Sequence, residues 1–134
     1  MNQCLTLFLL QDGSNMNIFI NTRNGIEIIN LDKVVYLKAD GNYTDFYLSD
    51  GKVKTQLSTL AVFDDIITKS YDKSHEASPF FRMGRSYIVN IPYVSSVNFQ
   101  SNAITFDSEK VRPLIVNKSN LKALRDHIVE RYDL

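Results

Sequence analysis

The stretch FFRMGRSYIVNI, residues 80–91, combines two arginines and a glycine with a β-branched strand sequence. In its second half, residues 87–91, apolar side chains occupy consecutive positions, which predicts a strand with both faces buried. Its first half predicts a loop at the start of that strand, because Gly84 permits a tight backbone path. For Arg82 and Arg85 the residue types leave two roles open: contact with phosphates or base edges, or simple exposure to solvent.

The segment before this stretch predicts an antiparallel meander. Short β-rich runs alternate with turn sequences at about ten-residue spacing, as in all-β domains. The turns include Asn24-Gly25 and Asp40-Gly41-Asn42, where glycine and asparagine tolerate positive φ. The predicted strands span residues 18–20, 26–29, 34–38, 43–48 and 53–56. One face of residues 43–48 carries Thr44, Phe46 and Leu48 in strict alternation.

Helix signals follow the last of these strands. Ser58 is predicted to cap the helix, because its hydroxyl can accept a hydrogen bond from the first turn. Asp64 and Asp65 lie off the apolar face and are predicted to be solvated, since adjacent helical residues point about 100° apart. Residues 71–78 are predicted to form a polar loop. The apolar face consists of Leu60, Phe63 and Ile67.

The segment after residues 80–91 predicts a hairpin, a further strand and a final helix. The hairpin strands span residues 94–99 and 103–107, and the last strand spans residues 111–116, with Pro113 at an edge or a bulge. The final helix begins near Asn117, and its predicted buried face consists of Leu121, Leu124 and Ile128. The pattern therefore predicts a mainly β fold with one central helix and one C-terminal helix.

The length of 134 residues predicts one domain. We expect this domain to span residues 18–134 and residues 1–17 to form an N-terminal arm, either a strand or disordered. No basic residue precedes Arg23, as a signal peptide would require, and no apolar run approaches the length of a membrane span. A cytoplasmic protein that does not contact membranes is the expectation.

The formal net charge of zero argues against a nucleic-acid partner, but the charges are unevenly distributed. Residues 79–125 carry seven basic and two acidic side chains, a net charge of +5. Residues 1–78 carry seven basic and ten acidic side chains, a net charge of −3. Such an asymmetry can give a neutral protein a local basic face that attracts nucleic acid.

The sequence offers no chemistry for catalysis or metal binding. A single cysteine, Cys4, and two histidines, His75 and His127, do not make a metal-ligand cluster, so no metal is expected. The phosphate-binding, dinucleotide-binding, metalloprotease and nucleophile-elbow motifs are absent. We therefore expect a binding domain without a cofactor, and not an enzyme.

Four stretches of the chain resemble the LytTR-type DNA-binding domain, the output domain of many bacterial two-component response regulators. The stretches occur in the family's order, and the resemblance covers about residues 18 to 134. The most specific pattern is F-x-R-x-x-x-S-Y-x-V-N, which begins at Phe80. The stretches are VVYLKADGNYTDFYLSDG (34–51), LSTLAVFDDI (57–66), FFRMGRSYIVNIPYVSSV (80–97) and PLIVNKSNLKAL (113–124).

This resemblance implies an elongated fold of several short antiparallel β-sheets or hairpins that binds duplex DNA through loops. Loop side chains enter successive major grooves, and two copies, as a homodimer on DNA, often bind direct repeats in promoter regions. The resemblance implies three DNA-binding loops, which comprise Asn42, Tyr43 and Thr44 in the first, Arg82, Gly84, Arg85 and Ser86 in the second, and Asn117 and Lys118 in the third. No receiver domain precedes the module, so phosphorylation within this chain is not expected.

Two positions depart from the family pattern. Gly84 replaces a common histidine and so cannot make a side-chain contact, while Lys118 replaces an arginine and loses its bidentate fork. Arg85 is the predicted base contact, because a guanidinium pairs with guanine O6 and N7. Lys118 and Arg82 are predicted phosphate contacts, and the alternative for Arg82 is a structural role that braces the loop. For Tyr43, the alternative to a DNA contact is a partly buried residue of the sheet.

Two functions follow from these observations. The first is a sequence-specific transcriptional regulator that contacts the major groove of duplex DNA through loops. The second is a β-rich protein-interaction or ligand-binding module that has lost DNA binding, which the neutral charge and Gly84 favour. Arg112, Lys122 and Arg125 are either peripheral phosphate contacts or solvated side chains.

Overall fold

Eleven strands and two α-helices are present in the computed structural model, which describes the backbone of residues 6–12 and 15–133 and the side chains from residue 16 onward. Part of the predicted N-terminal arm, residues 1–5, 13 and 14, lies outside the described residues. The helices are α1 (Leu60–Lys73) and α2 (Lys118–Tyr132). The strands are β1 (Thr6–Asp12), β2 (Asn15–Thr22), β3 (Gly25–Asn30), β4 (Val34–Asp40), β5 (Tyr43–Leu48), β6 (Val53–Leu57), β7 (Phe80–Met83), β8 (Tyr87–Asn90), β9 (Val94–Asn98), β10 (Ala103–Phe106) and β11 (Leu114–Ile115). The mainly β fold with a central and a C-terminal helix is confirmed.

A five-stranded antiparallel sheet, with the strand order β6-β5-β4-β8-β7, forms the centre of the molecule. Two smaller antiparallel sheets, β1-β2-β3 and β11-β10-β9, accompany it. Strand β8 comes from the stretch of residues 80–91 quoted above and pairs with β4, with Leu37 opposite Ile88. Ile88 and Val89 are fully buried, which confirms the prediction of a strand with two buried faces.

The central sheet is covered on both faces, so the chain has two apolar cores. One core joins α1 and the β1-β2-β3 sheet to the central sheet, and there the rings of Phe46 and Phe63 meet edge to face at 5.0 Å. The other core lies between the central sheet, the β11-β10-β9 sheet and α2. Ile88 belongs to the first core and Val89 to the second, as the period of two along a strand requires.

Four details of the predicted secondary structure are wrong. The last strand, predicted over residues 111–116, spans only Leu114–Ile115. Thr59, not Ser58, caps α1, since its side chain accepts the hydrogen bond from the Val62 N–H. Helix α1 continues to Lys73, because Tyr71 lies one turn after Ile67 and extends the buried face of the helix. Residues 80–83, predicted as loop, form strand β7 and pair with β8, so only residues 84–86 make the turn.

Candidate nucleic-acid interface

Two of the three predicted loops lie at the same end of the central sheet. Strand β4 ends and β5 begins at the turn that contains Asn42, while β7 and β8 are joined by residues 84–86. Because β4 and β8 are antiparallel, with Lys38 opposite Tyr87, the two turns emerge side by side. A backbone hydrogen bond of 2.8 Å from the Ala39 N–H to the Ser86 carbonyl joins them.

The first turn of α2 brings the third loop to the same place. A Cβ atom built on Gly84 would lie 2.7 Å from Oδ1 of Asn120, so the helix start lies directly over the second loop. Asn117 caps the helix by accepting a hydrogen bond of 2.8 Å from the Asn120 N–H. We call residues 41–43, 84–86 and 117–120 together the loop cluster.

Arg82 braces the second loop from within strand β7. Its guanidinium forms an ion pair with Asp64 of α1 at 3.3 Å, and its Nε donates to the Gly84 carbonyl at 3.1 Å. A third, longer hydrogen bond of 3.5 Å reaches the Arg85 carbonyl. These contacts favour the structural role for Arg82 over a phosphate contact. They also correct the prediction that Asp64 is merely solvated.

Arg85 has the opposite environment, although it lies only three residues further along. It is exposed, and within the described part of the chain its side chain has neither a hydrogen bond nor an ion pair. Its neighbours Gly84 and Ser86 are exposed as well. The loop therefore presents one unpaired guanidinium from a backbone that Arg82 holds in place.

The first loop presents two residues and buries the third. Asn42 is exposed, and Tyr43 begins β5 opposite Asp40 with 47% of its surface exposed, so it is both a sheet residue and accessible. Thr44 is fully buried, and its hydroxyl donates to the Ser58 carbonyl at 2.9 Å. The prediction of Thr44 as a DNA-facing side chain is therefore corrected to a structural role.

Only part of the basic segment 79–125 becomes a shared surface. The side chains of Lys118, Lys122 and Arg125 are exposed at positions i, i+4 and i+7 of α2, which places them on one helix face that starts at the loop cluster. Lys118 also donates to the Phe99 carbonyl at 3.0 Å, and the guanidinium of Arg125 lies 5.2 Å from the centre of the Phe99 ring.

Lys110 and Arg112 lie elsewhere. Their loop contacts the turn between β5 and β6, where Ser108 Oγ donates to the Ser49 carbonyl at 2.7 Å and a Cβ on Gly51 would lie 3.1 Å from the Lys110 side chain. That turn leaves β5 at the end remote from Tyr43. We call residues 49–51 and 108–112 the opposite end of the sheet.

His127 packs behind the second loop. Its ring stacks on Phe81, the residue before Arg82, with the ring centres 4.2 Å apart. Burial, assisted by the positive charge of Arg131, lowers the pKa of His127 below its ordinary value, while Glu130 opposes this shift. The histidine is therefore neutral at pH 7 and stabilises packing instead of adding positive charge.

The sequence reasoning missed Asn120 as a member of the loop cluster. Its proximity to Gly84 joins residues that are 36 positions apart, and no local pattern indicates that contact. Among the described residues, no group of three or more histidine, cysteine or acidic side chains is placed to hold a metal ion. None of the helices in the described ranges is long and apolar enough to cross a membrane.

Comparison with known proteins gives a family match and a similar solved structure. A family model described as the LytTr DNA-binding domain matches residues 24–129, which include the whole loop cluster. No curated protein matches the chain. Among solved structures, the chain is similar to the LytTr DNA-binding domain of a putative methyl-accepting/DNA response regulator from Bacillus cereus. That match has a TM-score of 0.56 and 18% sequence identity, and it covers 92% of this chain and 96% of the other.

Proposed function

Because this chain belongs to the LytTR family of DNA-binding domains, we propose that it is a sequence-specific transcriptional regulator that contacts the major groove of duplex DNA through the loop cluster. The observation that carries the proposal is the assembly of three loops at one end of the central sheet around an exposed, unpaired Arg85. A braced loop fixes the backbone that carries Arg85 before DNA arrives, which lowers the backbone entropy lost on binding.

The residues of the cluster and the basic residues that follow on α2 divide into base contacts and phosphate contacts. Arg85 contacts guanine, because its planar fork matches the O6 and N7 acceptors in the major groove. Lys118, Lys122 and Arg125 contact phosphates, since their charges follow one face of α2 and carry no base preference. The N-terminus of α2 adds partial positive charge beside Gly84.

The first loop supplies further contacts with DNA, through amide and hydroxyl groups. Asn42 and the half-exposed ring of Tyr43 lie at the same end as Arg85, and Ser86 of the second turn accepts a backbone hydrogen bond from Ala39 beside the first. Amide and hydroxyl groups of this kind hydrogen-bond either to phosphate oxygens or to base edges. We propose that they fix the orientation of the domain on the duplex.

A single domain of this size contacts few base pairs, so we propose that two copies bind direct repeats in promoter DNA. The binding partner is then double-stranded DNA in the cytoplasm, and a homodimer forms on that DNA. A titration of a two-repeat duplex should saturate at two protein chains per duplex, whereas a one-repeat duplex should saturate at one. Saturation at one chain on both duplexes would contradict this arrangement.

A fluorescence-anisotropy titration against DNA tests the proposed function. DNA fragments selected by the protein from a random pool should bind at least 10³-fold more tightly than random duplex, as is typical of specific regulators. The affinity should fall steeply between about 50 and 200 mM salt, because bound cations are released from the phosphates. Equal affinity for selected and random duplexes would contradict sequence-specific binding.

The second candidate function is a protein-interaction module that does not bind DNA. The exposed side chains of Ile26 and Ile28 on strand β3 favour it, with 61% and 51% of their surfaces accessible. Exposed apolar side chains mark interaction sites where they form a contiguous patch, and Ile26 and Ile28 alternate along one strand. Absence of any DNA binding at low salt would favour this function over the first.

A further inference from the structure

At the tip of the second loop, the Asn120 side chain lies where a side chain at position 84 would otherwise be. A Cβ atom on Gly84 would lie 2.7 Å from Oδ1 and 3.5 Å from Nδ2 of Asn120. A carbon and an oxygen do not approach to 2.7 Å without one of them moving. Any side chain at position 84 would therefore displace the Asn120 carboxamide, and only glycine leaves the carboxamide where it is.

The Asn120 carboxamide has no structural task in its present position. The backbone N–H of Asn120 donates to Asn117, but across the described residues its side chain forms no hydrogen bond. A carboxamide carries two donors and one acceptor, and in this partly exposed residue none of the three is engaged by a described protein group. The group lies beside Gly84, whose neighbour Arg85 is also unpaired and exposed.

We infer that Asn120 contacts an adenine base through its carboxamide and supplies the side-chain contact that Gly84 lacks. This inference rests on the proposed function, because it requires the loop cluster to lie in the major groove. Asparagine is suited to adenine, since its carboxamide accepts from N6 and donates to N7 at the same time. Arg85 and Asn120 would then contact a guanine and an adenine that are close together in one half-site.

The substitution Asn120→Ala tests this role without harming the fold. Alanine has a higher helix propensity than asparagine, and removal of an unbonded carboxamide leaves no partner unsatisfied. We expect affinity for the selected DNA to fall about tenfold, with loss of preference at one A·T pair and no change on random duplex. The melting temperature should not decrease.

A base analogue identifies the contacted atom. Replacement of that adenine by 7-deazaadenine removes the N7 acceptor and should weaken binding by the wild-type protein several-fold. The same replacement should leave the Asn120→Ala variant unaffected. The matched control is Lys122→Ala on the same helix, which should change affinity equally on selected and random DNA and leave every base preference intact.

A second substitution tests whether glycine is required to make room for Asn120. In the wild-type background, Gly84→Ala places a methyl group against the carboxamide and should lower affinity for the selected DNA about as much as Asn120→Ala does. In the Asn120→Ala background the same methyl group has no carboxamide to displace. The strain at φ +65° acts in both backgrounds, so the difference between them reports the displacement.

The outcomes separate this inference from the proposed function. If the wild-type protein shows no site preference, the proposed function fails and the inference fails with it. If the wild-type protein selects a site and Asn120→Ala selects the same site with the same affinity, only the inference is wrong. Equal weakening of the selected and the random duplex by Asn120→Ala would also overturn it, because a base contact cannot act on both.

Discussion

The two ends of the central sheet both carry basic side chains, but they are built differently. At the loop cluster, Arg82 is tied to Asp64 and to the loop backbone, and this bracing leaves Arg85 exposed on a fixed support. At the opposite end, Lys110 and Arg112 belong to a loop that Ser108 ties to the Ser49 carbonyl, and among the described residues neither basic side chain forms an ion pair that braces it. Charge alone therefore does not distinguish the two ends, whereas an arginine that braces its own loop does.

The largest difference between the two ends should come from their exposed arginines. We expect Arg85→Ala to weaken binding to the selected DNA by about 1–3 kcal/mol, because a bidentate contact with guanine is lost. Arg112→Ala, which removes the same charge at the opposite end, should change that affinity much less. Fluorescence anisotropy on selected and random duplexes measures both. Equal losses for the two variants would remove the distinction between the ends.

We expect the loss of the Arg82 contacts to lower the stability of the domain more clearly than its affinity for DNA. Arg82→Ala removes an ion pair and hydrogen bonds from a side chain that is 31% exposed, and we expect the free energy of unfolding to fall by about 1 kcal/mol. Urea denaturation measures this change. Arg82→Lys should recover only part of it, because an ammonium cannot reach Asp64 and the loop carbonyls together. Full stability in Arg82→Ala would show that the loop does not depend on Arg82.

The salt dependence of DNA affinity should depend on the lysine at the loop cluster and not on the lysine at the opposite end. Lys118→Ala should lower the slope of log affinity against log salt by roughly one and weaken selected and random DNA alike. Lys110→Ala should leave the slope unchanged, because that lysine lies at the opposite end. Titrations at several salt concentrations give both slopes. A lower slope for Lys110→Ala would show that DNA phosphates bind at the opposite end of the sheet, which would contradict this prediction.

The smallest effect concerns pH and the packing behind the loop cluster. Since burial lowers the pKa of His127, its protonation is disfavoured in the folded state, and stability is complete only above the ordinary histidine pKa of about 6.5. The free energy of unfolding should fall as the pH decreases from 7 toward 5. His127→Phe keeps a ring on Phe81 and should flatten this dependence. An unchanged slope in that variant would assign the pH effect to other groups.

Local patterns predicted the scaffold of the cluster well. Consecutive β-branched residues identified β8 as a strand with two buried faces, and the spacing of Leu60, Phe63 and Ile67 identified the buried face of α1. The alternation in residues 43–48 also placed Thr44 on the same face as Phe46, which agrees with its burial. The family resemblance, in contrast, assigned Thr44 to the DNA-facing set.

The roles of individual polar residues were not predictable, because they depend on contacts between distant parts of the chain. Arg82 is fixed by Asp64, which lies on another element and 18 residues earlier in the sequence. Asn120 acquires its position from Gly84, and the basic segment divides because Lys110 packs against Gly51 instead of the loop cluster. Such contacts follow from tertiary packing and leave no periodic signal in the sequence.

If the proposed function is correct, DNA binds at the loop cluster and not at the opposite end of the sheet. Amide chemical-shift mapping of the ¹⁵N-labelled protein during titration with the selected duplex tests it most directly. We expect the largest shifts at residues 41–43, 84–86 and 117–120, with little change at residues 49–51 and 108–112. Shifts concentrated at residues 49–51 and 108–112 would contradict it.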